Sequence, residues 1–257
     1  MHWQIKHNEQ LDSTNLEAKR MILNAQAEDN LHGIVLWADQ QTGGKGRMGR
    51  QWESAASDGL WFSIILKPTL PMEQASLFSF VSAVAVAEAI EQTTFCMVQL
   101  KWPNDVLVNG KKLCGILLEL VPRSRTEYYL VVGIGINVNQ TKEAFPLELQ
   151  EKATSLAIQL GRVVDREQLL SAVLRQFEEN KTLLQEHGFG TIRDKWKAKS
   201  CVLGQAVSVQ QNGIALYNGV VEDLALDGTL LLRTNEGLIP ITTGDVSLRT
   251  ADGGYGF

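Results

Sequence analysis

The chain has 257 residues, 44% of them hydrophobic, with a net charge of −5, enough to bury one large core or a medium domain with a small one. Its basic residues are dispersed, which argues against a surface built for DNA or for an anionic membrane. Cys96, Cys114 and Cys201 form an odd set without CxxC spacing, the usage of a reducing compartment such as the cytoplasm. The segment starting at Met1 lacks the apolar core of a signal peptide, and the apolar run 78–90 is broken by Ser79, Ser82 and Glu88, as in a buried helix. His2, His7, His32 and His187 lack ligand spacing, so no dedicated metal site is expected.

In chain order, residues 11–27 place Leu16, Ile22 and Leu23 near helical spacing behind Thr14 and Glu17, a capping-box signature that predicts a helix from about Asn15. Segments 33–39 and 60–66 are short β-branched and aromatic runs that read as buried strands, with a glycine-rich loop, 41–59, between them. Residues 73–92 contain neither Gly nor Pro and read as a long helix. Strands follow at 98–101 and within 105–120, where Asn109-Gly110 marks a two-residue hairpin turn. That turn pairs Leu107 with Lys112 and Asp105 with Cys114, leaving Asp105 and Lys112 diagonal on one sheet face. A further strand is expected over 128–138 and helices over 166–187 and 189–198. Beyond residue 200 come five short runs, near 205–210, 214–222, 229–233, 237–241 and 245–249. They are separated by Asn212-Gly213, Asp227-Gly228, Glu236-Gly237 and Gly244 and predict a small β-barrel. The boundary falls at 199–201, giving domains 1–200 and 201–257.

Three motifs carry chemistry. Gly44-Lys45-Gly46-Arg47-Met48-Gly49-Arg50 satisfies the dinucleotide expression G-x-G-x-x-G, but no amphipathic helix follows it, so the Rossmann reading fails on context. The segment reads as a flexible loop whose glycines let backbone N–H groups approach a ligand and whose Lys45, Arg47 and Arg50 meet negative charge; an ordinary basic surface loop is the alternative. Trp52 either stacks on a nucleobase or fills a core gap. Lys101-Trp102-Pro103-Asn104-Asp105, with Lys112 across the hairpin, puts a lysine and an aspartate on one face. They are suited to a carboxyl–phosphate junction and to the magnesium of ATP, or form a plain cross-hairpin salt bridge. In Gly133-Ile134-Gly135-Ile136-Asn137-Val138-Asn139 the strand glycines admit a close backbone or a ligand, and Asn137 offers donor and acceptor to an adenine edge; tight packing explains them equally.

Taken together and in this order, Ser13-Thr14-Asn15, the GKGRMGR loop with Trp52, KWPND, KKLCG with ILLEL, and GIGINVN resemble the biotin protein ligase family over about residues 11–249. The resemblance implies an α+β fold, a mixed β-sheet with helices of the class II synthetase type followed by a small SH3-like β-barrel. It implies a two-step reaction: biotin and MgATP give biotinyl-5′-AMP and pyrophosphate, and a lysine of a biotin carboxyl carrier domain, for example that of acetyl-CoA carboxylase, then takes the biotinyl group. By resemblance, Lys112, Arg47 and Asp105 are catalytic. Ser13, Thr14, Asn15, Gln41, Lys45, Gly46, Arg47 and Lys112 contact biotin, and Trp52, Asn104, Asp105, Asn137 and Arg249 serve ATP and the adenylate. Magnesium would come with ATP, near Asp105, without a dedicated protein site. Residues 139–150 fall where the family has an adenylate-covering loop, with no residues assigned, and 44–49 is the expected main lid.

Two positions depart from the family pattern: Lys45 and Met48 stand where arginine is common, and lysine lacks arginine's bidentate geometry. A monofunctional, cytoplasmic ligase is expected, a homodimer by family analogy, without nucleic acid or membrane among its partners, because the first helix begins too early to leave room for a DNA-reading module. The reaction needs no protein nucleophile, so Cys114 is expected to be a packed hydrophobe. A lipoate or octanoate ligase is disfavoured by the lack of an Arg-x-x-Gly-Gly-Gly-like segment. A non-enzymatic biotin-sensing repressor is disfavoured by the acidic charge.

Overall fold

The computed structural model describes residues 3–26, 28–54, 58–124, 127–211, 213–242, 246–250 and 254–255. The chain lays down β1 (Gln4–Leu11), α1 (Thr14–Asn24), β2 (Ile34–Gln41), β3 (Leu60–Leu66), α2 (Leu77–Thr94), β4 (Gln99–Lys101), β5 (Asp105–Val108), β6 (Lys111–Pro122) and β7 (Tyr128–Ile136). Helices α3 (Leu156–Leu160), α4 (Arg166–His187) and α5 (Phe189–Lys199) follow. The seven strands form one sheet in the order β1-β2-β3-β7-β6-β5-β4, parallel between β1 and β2 and antiparallel elsewhere. This is the mixed sheet expected.

The central strand β3 shows why the sheet carries a layer on each face. All seven of its residues are buried: Leu60, Phe62, Ile64 and Leu66 join the cluster around α2, while Ile65 joins Ala18 and Ile22 of α1. A strand covered on both sides reads as a continuous apolar run. Helix α2 is apolar all round because the sheet, α4 and α5 enclose it. By length and composition residues 72–94 are apolar enough to cross a membrane, but 72% of that window is buried within the fold. The helix starts at Leu77 rather than residue 73, after a single turn of 3-10 helix at Met72–Gln74.

Beyond α5, β8 (Ala206–Gln211), β9 (Ile214–Leu224), β10 (Leu230–Thr234), β11 (Gly237–Ile241) and β12 (Val246–Thr250) form an antiparallel sheet in the order β11-β10-β9-β8-β12. The five strands match the five predicted runs; the turn residues Asn212 and Gly244 lie outside the described residues. Val207, Val209, Val221, Leu230, Leu232 and Leu248 point inward and share one buried cluster with the first sheet. At the junction Trp102 Nε1 donates to the carbonyl of Gly228 at 3.2 Å. Phe80 of α2 packs edge-on against Phe189 and Trp196 of α5, with ring centroids 5.2 and 5.7 Å apart.

Three local expectations need correction. Strand β1 was not anticipated: its sequence, QIKHNEQL, carries no apolar alternation, because it is an exposed edge. The capping box does not form: Ser13 is the N-cap without a side-chain cap bond, and Glu17 pairs with Arg20. The hairpin register differs by one. Asn109 and Gly110 do form a turn with φ of 50° and 73°, the two left-handed residues that such a hairpin requires, and Leu107 does pair with Lys112. A bulge then shifts the ladder, so Asp105 pairs with Gly115 and not Cys114. Cys114 thereby turns into the core, and the opposite face is left to a glycine.

Replacing Phe80 by Ala is expected to cost about 3–5 kcal/mol, seen as a lower urea midpoint with an unchanged m-value. A loss below about 1 kcal/mol would show that α2 and α5 are not joined through this ring.

Candidate active site

Because directly paired antiparallel residues share a face, the strand register itself lays out the site. One row runs from Trp61 through Gly135, Gly115 and Asp105 to Lys101, crossing β3, β7, β6, β5 and β4. The neighbouring row is Ser63, Gly133 and Leu117. Both lie on the α1 side of the sheet, where the glycines leave the floor open.

Aromatic and polar groups fill that opening. A Cβ on Gly115 or Gly135 would stand 2.8 Å from the Trp52 ring, so the indole lies on the bare backbone of two paired glycines. At Gly133 the same test meets Asn15 Oδ1 at 2.2 Å. Freed from capping, the start of α1 instead builds a buried network. Thr14 N–H donates to Gln41 Oε1 at 2.8 Å, and Ser63 Oγ lies 2.7 Å from Thr14 Oγ1 and 2.6 Å from Asn15 Oδ1. Asn15 Nδ2 donates to Glu119 at 2.9 Å, and Gln41 Nε2 to Ser54 Oγ at 3.3 Å.

The 44–52 loop closes on itself. Gly46 N–H donates to Arg50 O at 2.7 Å and Trp52 N–H to Gly44 O at 3.0 Å. Arg47 reaches out of the loop and donates to Asn104 Oδ1 at 3.0 Å, while Asn104 Nδ2 donates to Ile116 O at 2.7 Å, joining the loop to the KWPND turn and β6.

Lys112 Nζ lies 2.5 Å from Asp105 Oδ1 and 5.3 Å from the Trp52 ring centre. Burial alone would raise the Asp105 carboxyl, but Lys112, a hydrogen bond from Tyr255 and the charge of Lys101 outweigh it and hold the group below the usual carboxylate range. Burial drives the Lys101 ammonium down to about 7, against the pull of Asp105, and pushes the Cys114 thiol far up, so that Cys114 stays a neutral packed side chain. The segment after β7 is tied to Lys112 on both sides: Lys112 N–H donates to Lys152 O at 2.8 Å and Thr154 N–H to Lys112 O at 2.9 Å. Asn137 N–H donates to Leu113 O at 2.9 Å, and its side-chain amide faces Lys112 O at 3.5 Å.

These groups surround one cavity of about 490 Å³. Every sequence-predicted residue lines it: Ser13, Thr14, Asn15, Gln41, Lys45, Gly46, Arg47, Trp52, Asn104, Asp105, Lys112, Asn137 and, from the second sheet, Arg249. On a chain of net charge −5 the lining is strongly basic, with Lys45, Arg47, Arg50, Lys101, Lys112, Lys152 and Arg249 against Glu53 and Asp105. Such a concentration of cations suits a polyphosphate or another anion. Sequence reasoning missed Lys101, Phe145, Leu149, Lys152 and Tyr255 in the lining and Ser63 behind it. Lys101 opens a motif already singled out, and the apolar Phe145 and Leu149 stand in a polar stretch. Ser63, within an apolar strand, and Tyr255 carried no signal.

An α+β domain with a glycine-floored cationic pocket, followed by a small all-β unit, is the class the geometry defines. The profile of the Biotin/lipoate A/B protein ligase family matches residues 8–137, and that of the Biotin protein ligase C terminal domain matches residues 202–249. The chain is 31% identical to the biotin–[acetyl-CoA-carboxylase] ligase of Paracoccus denitrificans, covering 91% of this chain and 96% of that one. It is 36% identical to the bifunctional ligase/repressor BirA of Bacillus subtilis (strain 168), covering 94% and 73%. The biotin protein ligase from Aquifex aeolicus, solved in complex with biotin and ATP, superimposes with a TM-score of 0.82 at 35% identity over 96% of this chain and 99% of that one. The chain belongs to the biotin/lipoate protein ligase family.

Gly133→Ala is expected to push Asn15 from its partners and cost about 1–3 kcal/mol, measurable as a lower Tm. An unchanged Tm would show that the polar network does not depend on this close approach.

Proposed function

We propose that this protein activates biotin with ATP, forming biotinyl-5′-AMP and pyrophosphate, and transfers the biotinyl group to a lysine of a biotin carboxyl carrier domain such as that of acetyl-CoA carboxylase. The observation that carries this reading is the convergence of the 44–50 loop, Lys112 and the buried network of Thr14, Asn15 and Gln41 on one cavity. The network supplies donors and acceptors to a neutral polar head group, and the cations supply the charge that a triphosphate needs.

In the first step a carboxylate oxygen of biotin attacks the α-phosphorus as the bond to the β-phosphate breaks and pyrophosphate leaves. Lys112 turns from Asp105 to the junction and offsets the charge that builds there, while Arg249 holds the departing phosphates. Trp52, Asn104 and Asn137 bound the nucleotide. In the second step the carrier lysine, as a free amine, attacks the acyl carbon; the bond from that carbon to the phosphate oxygen breaks, AMP leaves, and the amine proton passes to solvent. No protein nucleophile takes part. Arg47, latched to Asn104, keeps the loop over the adenylate and excludes water.

Magnesium fits as a companion of the triphosphate, since Asp105 is a carboxylate beside the cations and the metal needs few protein oxygens once phosphates and water complete its shell; bound there, it would shield phosphate charge. The proposal extends to two domains, 1–200 and 201–257, to a cytoplasmic location, which three unpaired cysteines suit, and to a homodimer. A role in ligation alone, without nucleic acid or membrane, accords with the acidic charge.

The test is biotin-dependent exchange of labelled pyrophosphate into ATP, with octanoate as the control that should not substitute. Lys112→Ala should lower the exchange at least ~100-fold; near-normal exchange would remove Lys112 from the reacting centre. Arg47→Gly should loosen the loop so that escaping adenylate labels bystander lysines, measured by streptavidin blotting of an added non-carrier protein. Unaltered selectivity would contradict the covering role.

A further inference from the structure

Tyr255, past the end of β12, belongs to the cavity wall. Thr250 N–H donates to Gly254 O at 3.0 Å, and Tyr255 follows, lining the pocket beside Arg249. The Tyr255 hydroxyl donates to Asp105 Oδ2 at 2.6 Å, while Lys112 lies against the other carboxylate oxygen, Oδ1. The Tyr255 carbonyl accepts from Lys101 Nζ at 2.5 Å. Its ring centre lies 3.7 Å from the same ammonium and 5.4 Å from the Arg249 guanidinium. One residue therefore touches the pocket's buried carboxylate and two of its cations.

The register gives this contact a purpose. Lys101 pairs directly with Asp105 across β4 and β5 and is only 2% exposed. The charge of Lys101 already bears on that carboxylate, and without a donor on Oδ2 the carboxylate would act on two ammonium groups, Lys101 and Lys112. A phenol bonded to the carboxylate satisfies Oδ2 without spending a cation, and the ring face and carbonyl hold the Lys101 ammonium in place.

We propose that Tyr255 is a positioning residue for the nucleotide: it occupies Asp105 Oδ2 and retains Lys101, so that the cations of the pocket stay available to phosphate. This rests on the reading of the cavity as an ATP site. The chemistry recognised is a triphosphate, and the biotin end should be indifferent, because none of the contacts of Tyr255 among the described residues involves Ser13, Thr14, Asn15 or Gln41.

The experiment compares full-length Tyr255→Phe and Tyr255→Ala with the unmodified protein in pyrophosphate exchange, with ATP and biotin varied separately and folding followed by thermal melting. Tyr255→Phe keeps the ring and loses the hydroxyl, and should raise KM for ATP severalfold; Tyr255→Ala should raise it by about tenfold or more, the scale of one hydrogen bond to a charged group. KM for biotin should stay within about twofold in both. An unchanged KM for ATP would overturn the proposal. So would a lower one, which would make Tyr255 an obstruction, or a parallel rise in both KM values, which would make it a general support. If Tyr255→Ala does not fold, the near-isosteric Tyr255→Phe decides alone. Absence of biotin-dependent exchange in the unmodified protein would instead count against the proposed function, leaving the two failures distinguishable.

Discussion

The ion pair between Lys112 and Asp105 is the constraint around which the site is arranged. Both side chains are largely removed from solvent, with 27% and 13% of their surfaces exposed, and taking two charges out of water is costly unless each finds close partners. The hairpin supplies those partners: its tight turn sets Lys112, the bulge at residue 113 brings Gly115 opposite Asp105, and the segment after β7 grips the Lys112 backbone from both sides. Removing Asp105 would leave Lys112 without its carboxylate, whereas removing Lys112 would leave Asp105 to Tyr255 and Lys101 alone, and either loss is destabilising. In the proposed reaction the same tension is useful, because a lysine held by one carboxylate is readily claimed by a more highly charged phosphate.

Around that pair the sheet surrenders side chains to gain space. Gly115, Gly133 and Gly135 would contribute three side chains to the α1 face in an ordinary sheet; their absence admits the Trp52 ring and Asn15. The cavity then divides by chemistry. Its α1 end is a network of neutral hydrogen-bonding groups with fixed geometry, suited to recognising a polar head, whereas its β4–β5 end and the second sheet contribute cations. A substrate that is neutral at one end and joined to phosphate at the other matches this gradient. The small second sheet is part of the site, since β12 carries Arg249 into the lining.

Much of this was legible in the sequence, for identifiable reasons. Short apolar runs bounded by glycine, asparagine and aspartate marked the strands of both sheets, and Asn109-Gly110 fixed the hairpin turn. Lys112, Asp105 and Arg47 stood out as charged residues in glycine-rich or turn contexts, but a plain salt bridge explained the first two equally, and their place in the site came from the resemblance of the ordered motifs to the family. The misses also have causes. Strand β1 is polar because it is an edge. The bulge left no compositional trace, since Leu113 and Cys114 are both apolar and either could face the core. Thr14 resembled a cap because capping and ligand-facing networks employ the same hydroxyl. Ser63 was hidden inside a run read only as core, and Tyr255 came from a stretch with no periodicity.

The central claim is that Lys112 exchanges Asp105 for the junction between carboxyl and α-phosphate. A crystal structure with a non-hydrolysable biotinyl-adenylate analogue tests it directly. The account predicts the Lys112 ammonium at hydrogen-bonding distance, about 3 Å, from the linker between acyl group and phosphate, with the ureido head among Thr14, Asn15 and Gln41. An analogue bound with the Lys112–Asp105 pair intact and the lysine remote from the linker would contradict it.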